Sequence, residues 1–174
     1  MNDDLRYPVG RYTPGGQITR EQRDEWIGQV AEAPARLRAA VQDLDNGQLD
    51  TPYRDGGWTV RQVVHHLPDS HMNAYTRMKL GLTEDAPMIK TYEESAWAGL
   101  PDARLPIEVS LALLERLHER WVALLRALDE QQWKRTFRHP EWGQMAIDDA
   151  LGMYAWHGRH HVAHVTRLRE RQGW

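Results

Sequence analysis

Histidine is the residue type whose number and spacing in this sequence point most directly to chemistry. The chain of 174 residues contains 9 histidines and no cysteine. Most of the histidines lie in two short windows, HHLPDSH at residues 65–71 and HGRHHVAH at residues 157–164. Since the chain offers no thiolate ligand, no disulfide and no cysteine nucleophile, a transition metal would have to be held by imidazole or carboxylate groups.

The second window places two pairs of histidines at a helical spacing of four residues. His157 and His161 would lie one turn apart and about 40° apart around a helix axis, and so would His160 and His164. The apolar arc of the same helix is formed by Ala150, Tyr154, Val165 and Leu168. His157 and His161 fall inside this arc, whereas His164 lies toward its edge and His160 farther out. Because a metal site in a helical core needs inward-facing ligands, the pattern favours His157 and His161.

The first window does not single out one histidine. Its helical stripe consists of Val60, Val63, Val64, Leu67 and Ala74. This stripe puts His65 on the solvent side, His66 beside the stripe and His71 within it. Pro68 lies between the last two and blurs the helical phase. The pattern therefore excludes His65 and leaves both His66 and His71 as candidates.

Two interpretations of the histidine windows remain open at this level. Several unpaired imidazoles in one core would cost free energy unless something used their lone pairs, which favours a metal site. The rival is a pair of histidine-rich helix faces that are simply solvated. The isolated His118 and His139 are interpreted as ordinary core or surface histidines.

Four long helical segments must position these residues. The first opens at the capping-box pattern Thr19 to Gln22 and ends at the Asp-Asn-Gly sequence 45–47, with a kink or break expected at Pro34. The second opens at a similar pattern, Thr59 to Gln62, and runs to about Leu82 through Pro68. Residues 1–18 are typical of an extended arm, and residues 93–100 of one short helix.

The second half of the chain supplies the other two long helices. The third begins at Pro106 and continues to Leu128. Residues 133–145 predict a small hairpin, and Asp148 or a neighbour then caps a fourth helix that stops at Gly173. The sequence thus predicts an all-α, single-domain four-helix bundle over residues 1–174, with long irregular connections. The unequal connections favour a topology other than simple up-down-up-down.

Charge and hydropathy exclude two classes of partner. The chain has 22 Lys and Arg against 25 Asp and Glu, a net charge of −3, so no nucleic-acid partner is expected. No apolar run is long enough to span a membrane, and the first residues show no signal-peptide pattern. We therefore expect a cytoplasmic protein without a membrane partner.

Motifs along nearly the whole chain resemble those of a known family. They are YPVGRY, LDTPYRDGGWTVRQVVHHL, DSHMN, SLALLERLHERW and ALGMYAWHGRHHVAH. In these the sequence resembles the DinB-like superfamily, and within it the YfiT-like group of metal-dependent hydrolases. The resemblance implies a four-helix bundle of unusual topology, a cytoplasmic homodimer, and a three-histidine site for one zinc or nickel ion per chain.

The resemblance also implies which histidines are the ligands. They are His66, His157 and His161; the spacing had already favoured the last two, but the choice of His66 rests on the resemblance alone. Pro68 departs from the alanine found in relatives, so a shift of the site near His66 stays open. Asp69 is a candidate for orienting a ligand or accepting a proton, against the simpler interpretation of a solvated helix-surface residue.

Three neutral imidazoles leave coordination positions open, which is typical of catalytic rather than structural metal sites. Activation of water would give a hydrolase acting on a small molecule. Activation of a thiol would give an S-transferase that uses a low-molecular-weight thiol such as bacillithiol or mycothiol against an electrophile. A metal-binding stress protein without turnover is the third alternative. Tyr53, Arg54 and Trp58 are candidates for a pocket wall, with Arg54 holding a carboxylate, unless their loop is only a structural turn.

Overall fold

Seven α-helices and one hairpin account for most of the regular structure in residues 5–13 and 16–174, the part of the chain described by a computed structural model. The helices are α1 (Arg20–Val41), α2 (Asn46–Leu49), α3 (Val60–Thr83), α4 (Glu94–Trp97), α5 (Ile107–Arg126), α6 (Glu130–Trp133) and α7 (Ile147–Gln172). A 3₁₀ turn (Pro101–Arg104) precedes α5, and β1 (Thr136–His139) pairs antiparallel with β2 (Gly143–Ala146) before α7. No helix of the described residues is long and apolar enough to cross a membrane.

Side-chain hydrogen bonds cap the N-termini of four of these seven helices. The Thr59 side chain accepts a hydrogen bond from the Gln62 backbone N–H, and the Gln62 side chain accepts one from the Thr59 N–H, so the predicted capping box is confirmed. The α7 helix ends at Gly173, whose φ of 71° is in the left-handed region, again as predicted. The end of the first helix was placed too late: α1 stops at Val41, because the chain turns at Asp43 with a φ of 63°.

The start of α7 differs from the prediction. Its N-cap is Ala146, and Asp148 lies inside the first turn with an exposure of only 1%. The Asp148 carboxylate accepts a hydrogen bond from Lys134 Nζ at 2.6 Å and lies 3.9 Å from the guanidinium of Arg23. Arg23 is itself buried and also pairs with Glu130. The aspartate therefore ties α7 to α1 and to the segment after α6 instead of capping a helix.

Both long helices with an internal proline continue through it. The α1 helix runs unbroken past Pro34 and α3 past Pro68, so the break considered at Pro34 does not occur. Proline has no backbone N–H, so the carbonyl four residues earlier loses its usual helical donor. In α1 that carbonyl belongs to Val30.

The four long helices form a bundle in which the order along the chain is not the order around the bundle. The α1 helix packs against α5 and α7, and α3 packs against the same two helices. Consecutive long helices α1 and α3 therefore lie across a diagonal, as do α5 and α7. The all-α four-helix bundle with a non-simple topology is confirmed, and it makes α3 and α7 neighbours.

A layer of histidine divides the core. One apolar cluster gathers around the fully buried Trp121 and includes the start of α7, and a second surrounds Leu67 and Leu114. Histidine rings lie between the two clusters along each of α3, α5 and α7: His71 in α3, His118 in α5, and His157, His160, His161 and His164 in α7. The bundle thus contains a layer of histidine rings between two apolar clusters.

Candidate metal centre

Three of the histidines converge from two helices. His66 comes from α3, and His157 and His161 come from successive turns of α7. One ring nitrogen from each lies within 4.8 Å of the other two. The Nε2 atoms of His66 and His157 are 3.4 Å apart. The fold therefore brings together the three residues that spacing and resemblance had selected, and Pro68 does not keep His66 away from the others.

The spacing of these nitrogens fits a metal ion. Two nitrogens bound at about 2.0–2.1 Å to a tetrahedral zinc ion are separated by roughly 3.4 Å. His66 and His161 are 4% and 7% exposed, and the Nδ1 atom of His161 is buried without a hydrogen-bond partner among the described residues. Imidazole nitrogen is also a common ligand of zinc and nickel ions. The residues present therefore suit a divalent cation.

Burial keeps these rings in the form that binds metal. Desolvation, and then the neighbouring His160, lowers the pKa of His66 to about 4. Burial is also the main cause that lowers the pKa of His157 and of His161 well below the usual histidine value, with the surrounding histidines adding to it. The lone pairs of the three rings are therefore free at neutral pH.

Behind His157 lies a second line of histidines. Its Nδ1 is 3.1 Å from His71 Nε2, and His71 Nδ1 is 2.7 Å from His118 Nε2. His118 Nδ1 is 2.6 Å from the carbonyl oxygen of Val30. His71, left as an alternative ligand by the sequence, and His118, interpreted as an ordinary core histidine, thus both connect to the candidate site.

A second group of histidines adjoins the first. His160, His161 and His164 also offer ring nitrogens within 4.8 Å of one another. The helical pattern placed His160 outward and His164 at the edge, but both are buried, with exposures of 7% and 3%. The cover is the N-terminal arm: His164 Nε2–H donates to the Arg6 carbonyl at 3.1 Å, and the Tyr7 ring lies 6.0 Å from that of His160.

His65 was also placed wrongly by the sequence pattern. It is 6% exposed instead of facing solvent. Its Nδ1 lies 2.7 Å from Ser110 Oγ, and its Nε2 lies 3.0 Å from the Leu105 carbonyl oxygen. The segment entering α5 covers the outer face of α3, which no analysis of α3 alone can detect. His65 is therefore a satisfied buried histidine outside the triad.

Comparison with known proteins places the chain in a family. A sequence model of the DinB superfamily matches residues 29–165, which is most of the chain. The chain belongs to the DinB superfamily. A protein of Bacillus mycoides (strain KBAB4) named "Putative metal-dependent hydrolase" is 57% identical over 171 residues, which cover 98% of this chain and 99% of that protein. A Bacillus cereus (strain 03BB102) protein of the same name is 56% identical over 172 residues, 99% of each chain.

Solved structures agree with this assignment. YfiT from Bacillus subtilis, described as "a probable metal-dependent hydrolase with an unusual four-helix bundle topology", superposes with a TM-score of 0.96. It is 54% identical and covers 98% of this chain and 99% of its own. TT2238, a four-helix bundle protein, is 22% identical with a TM-score of 0.58 over 87% of this chain and shares the fold.

A cavity opens beside the triad of this DinB superfamily protein. Its volume is about 370 Å³, and its walls include the histidines of both groups. Tyr53, Arg54 and Trp58, the candidates for a pocket wall, all line it, as does Arg6 from the N-terminal arm. The Trp58 ring packs 4.6 Å from the His66 ring. The loop before α3 is therefore a wall of the cavity as well as a turn.

Gly57 lies close to Arg54, and this contact shapes the loop that presents Arg54 to the cavity. A Cβ atom on Gly57 would lie 2.8 Å from the Arg54 Cγ and 3.1 Å from the Arg54 carbonyl oxygen. Only glycine allows so close a contact. The Arg54 Nε is buried without a hydrogen-bond partner among the described residues, and none of their carboxylates forms an ion pair with this guanidinium. Arg54 Nη1 donates to the Asp55 carbonyl at 2.9 Å, so this arginine brings to the cavity a positive charge that no carboxylate of the described residues neutralises.

Asp69 does not join the candidate site. It neither lines the cavity nor forms a hydrogen bond from its carboxylate to any histidine among the described residues. Partial burial, and then the charge of Asp102, raises the pKa of Asp69 to about 6. A ligand-orienting or proton-accepting role at the triad has no contact to support it.

The raised pKa makes a prediction about stability. A carboxyl whose pKa is higher in the folded than in the unfolded protein destabilises the fold when charged, so its penalty appears as pH rises from about 4 to 6. Asp69→Asn is expected to raise the free energy of unfolding by about 1–2 kcal/mol at pH 7.5, allowing for partial exposure, and to change little at pH 4. Urea unfolding at both pH values measures this, with the exposed Asp85→Asn as control. Equal effects at the two pH values would contradict it.

Proposed function

We propose that this protein is a metal-dependent hydrolase of small molecules, in which His66, His157 and His161 hold one zinc or nickel ion. The observation that carries this proposal is the 3.4 Å separation of the His66 and His157 Nε2 atoms beside a cavity. The His66 ring is buried, His157 is partly buried, and neither pairs with a carboxylate among the described residues, so their lone pairs are available to a cation. The names of the 54–57% identical relatives support a metal-dependent hydrolase.

The contacts of the two histidine groups favour the first as the ligand set. The first draws its ligands from α3 and α7, so the rings approach a common point from two sides. The second draws all three from one helix, and His164 already uses Nε2 to donate to the Arg6 carbonyl. The His164 ring is also stacked 3.9 Å from the Tyr53 ring. We therefore assign His160 and His164 to the cavity wall.

The chemistry follows from three neutral ligands. When bound there, a divalent ion supplies a Lewis acid that lowers the pKa of a coordinated water or thiol. Arg54 would hold an acidic group of the substrate, because its guanidinium reaches the cavity without a carboxylate partner among the described residues. Trp58 and Tyr7 would cover the apolar part and exclude bulk water. The histidines with the arginine thus suit an anionic small molecule.

One observation favours a thiol S-transferase as the second candidate. A further cavity of about 440 Å³ shares Glu94, Ser95, Trp156 and His157 with the first. Two adjoining chambers that meet at one candidate ligand would suit two reactants, an electrophile and a thiol. Because the chain has no cysteine, the thiol would come from a cosubstrate such as bacillithiol.

A single assay tests these candidates. Metal-loaded protein, purified without an affinity tag, is incubated with an electrophilic ester dye in the presence and absence of bacillithiol. Hydrolysis without thiol is expected, and it should disappear in His157→Ala, which removes a proposed ligand. Conjugation that strictly needs the thiol would overturn the hydrolase in favour of the transferase. No turnover in either arm, with metal bound, would leave a metal-binding protein without catalysis.

A further inference from the structure

The hydrogen bonds behind His157 form a directed chain. A backbone carbonyl can only accept, so His118 Nδ1–H must donate to Val30. In a neutral ring the other nitrogen then accepts, so His118 Nε2 accepts from His71 Nδ1–H. By the same reasoning His71 Nε2 accepts from His157 Nδ1–H. The remaining nitrogen, His157 Nε2, is left with its lone pair, and it is the atom that lies 3.4 Å from His66 Nε2.

The carbonyl that anchors this chain is free because of a proline. In an uninterrupted helix the Val30 oxygen would accept from the N–H of residue 34. Residue 34 is proline, which has no N–H, and α1 nevertheless continues through it. The short 2.6 Å contact with His118 Nδ1 supplies the missing donor. Pro34 thus removes a hydrogen bond from its own helix and leaves the Val30 carbonyl as an acceptor inside the bundle.

The surroundings offer these rings few other partners. His71 and His118 are 0% and 2% exposed, and the Trp121 ring packs edge-on against both. No carboxylate of the described residues forms an ion pair with either ring. Neutral rings enclosed in this way have little freedom to change tautomer, since each change would leave a buried donor or acceptor unpaired.

We propose that His71 and His118, anchored on the carbonyl freed by Pro34, are positioning residues that fix His157 as the Nδ1–H tautomer and aim its Nε2 lone pair at the metal site. The metal-binding part of this inference rests on the proposed function, whereas the tautomer of His157 does not. Partners that orient a ligand histidine typically change metal affinity 10- to 100-fold when removed, so the effect is measurable.

The first test compares two substitutions of His118. His118→Leu removes the acceptor for His71, and zinc affinity by calorimetry is expected to fall by about 10- to 100-fold. His118→Gln keeps a donor for Val30 and an acceptor for His71, so it should recover most of that affinity. In the metal-free protein, imidazole ¹⁵N spectra should show one Nδ1–H form of His157 in the wild type and a mixture in His118→Leu.

Pro34→Ala gives a second test that does not depend on a disrupted core. The substitution restores a backbone N–H at position 34 that competes with His118 for the Val30 carbonyl, while removing the cost of a proline inside a helix. Thermal stability should stay level or rise, whereas zinc affinity should fall several-fold. Opposite changes in these two quantities cannot come from a general loss of structure. Pro68→Ala is the control for stability. It also removes a proline from inside a helix, but α3 does not provide the carbonyl that His118 contacts.

Trp121→Phe is the control for packing around the chain of histidines. It disturbs the ring that touches His71 and His118 but leaves their hydrogen bonds in place, so stability should fall and zinc affinity should not. An Nε2–H tautomer of His157 in the metal-free wild type would overturn the proposal. Unchanged zinc affinity in both His118→Leu and Pro34→Ala would overturn it too. A wild type that binds no zinc but shows the Nδ1–H form would instead count against the proposed function.

Discussion

His157→Ala is expected to reduce zinc affinity by more than about 100-fold, beyond the usual effect of removing a partner that only orients a ligand. The substitution leaves His66 and His161 as two ligands where three converged. It also leaves His71 Nε2 without its donor. Titration calorimetry on metal-stripped protein, with metal analysis of the dialysed sample, measures the loss.

His160→Ala is the matched control for that experiment. It is buried on the same helix and belongs to the second histidine group but not to the first. It is expected to keep zinc affinity close to that of the wild type. The proposed ligand set would be wrong if His160→Ala lost zinc while His157→Ala retained it. His161→Ala cannot make this distinction, because His161 belongs to both groups.

Trp121→Ala is expected to give the largest loss of stability, about 3–5 kcal/mol in the free energy of unfolding. The indole is completely buried, and its Nε1–H points at the Met78 sulfur at 3.2 Å. Its ring also packs against His71, His118 and Tyr154. Alanine would leave a cavity at the border between the apolar cluster and the histidine layer.

Urea unfolding followed by circular dichroism measures this loss. Trp97→Ala provides the comparison, since this indole is 38% exposed at the surface, and its removal should cost much less. A loss below about 1 kcal/mol for Trp121→Ala would show that the surrounding rings collapse into the space. In that case the bundle would be more plastic at this level than its packing indicates.

The sequence predicted the elements well because their signals are local. Capping side chains, apolar spacing and a left-handed glycine lie within a few residues of the helix ends that they determine, as at Thr59 and Gly173. Apart from the end of α1 and the cap of α7, the errors concern helix faces that other segments cover. His65 and His160 lie off the apolar stripe of their own helices, but Leu105 and the N-terminal arm bury them. A helical wheel contains no information about such covering segments.

The part of the candidate site that could be predicted also rests on a local signal. Spacing within one helix was enough to favour His157 and His161, which lie on one face of α7. It could not decide between His66 and His71 as the third ligand. Both side chains reach the centre of the bundle from α3, and they differ in the residues of other helices that they contact. His118 carried no local signal at all. Its contact with Val30 depends on a proline in another helix, 84 residues earlier in the sequence.

The diagonal arrangement of the bundle also affects how the protein is made. The α7 helix packs against both α1 and α3, and it carries two of the three converging histidines. A ribosome therefore releases α1 and α3 with apolar faces that stay uncovered until α7 follows. The arm that contains Arg6 and Tyr7 is synthesised before the four long helices but finds its partners on α7, the last of these four. Chains from which α7 has not yet emerged accordingly lack a formed site and expose apolar surface.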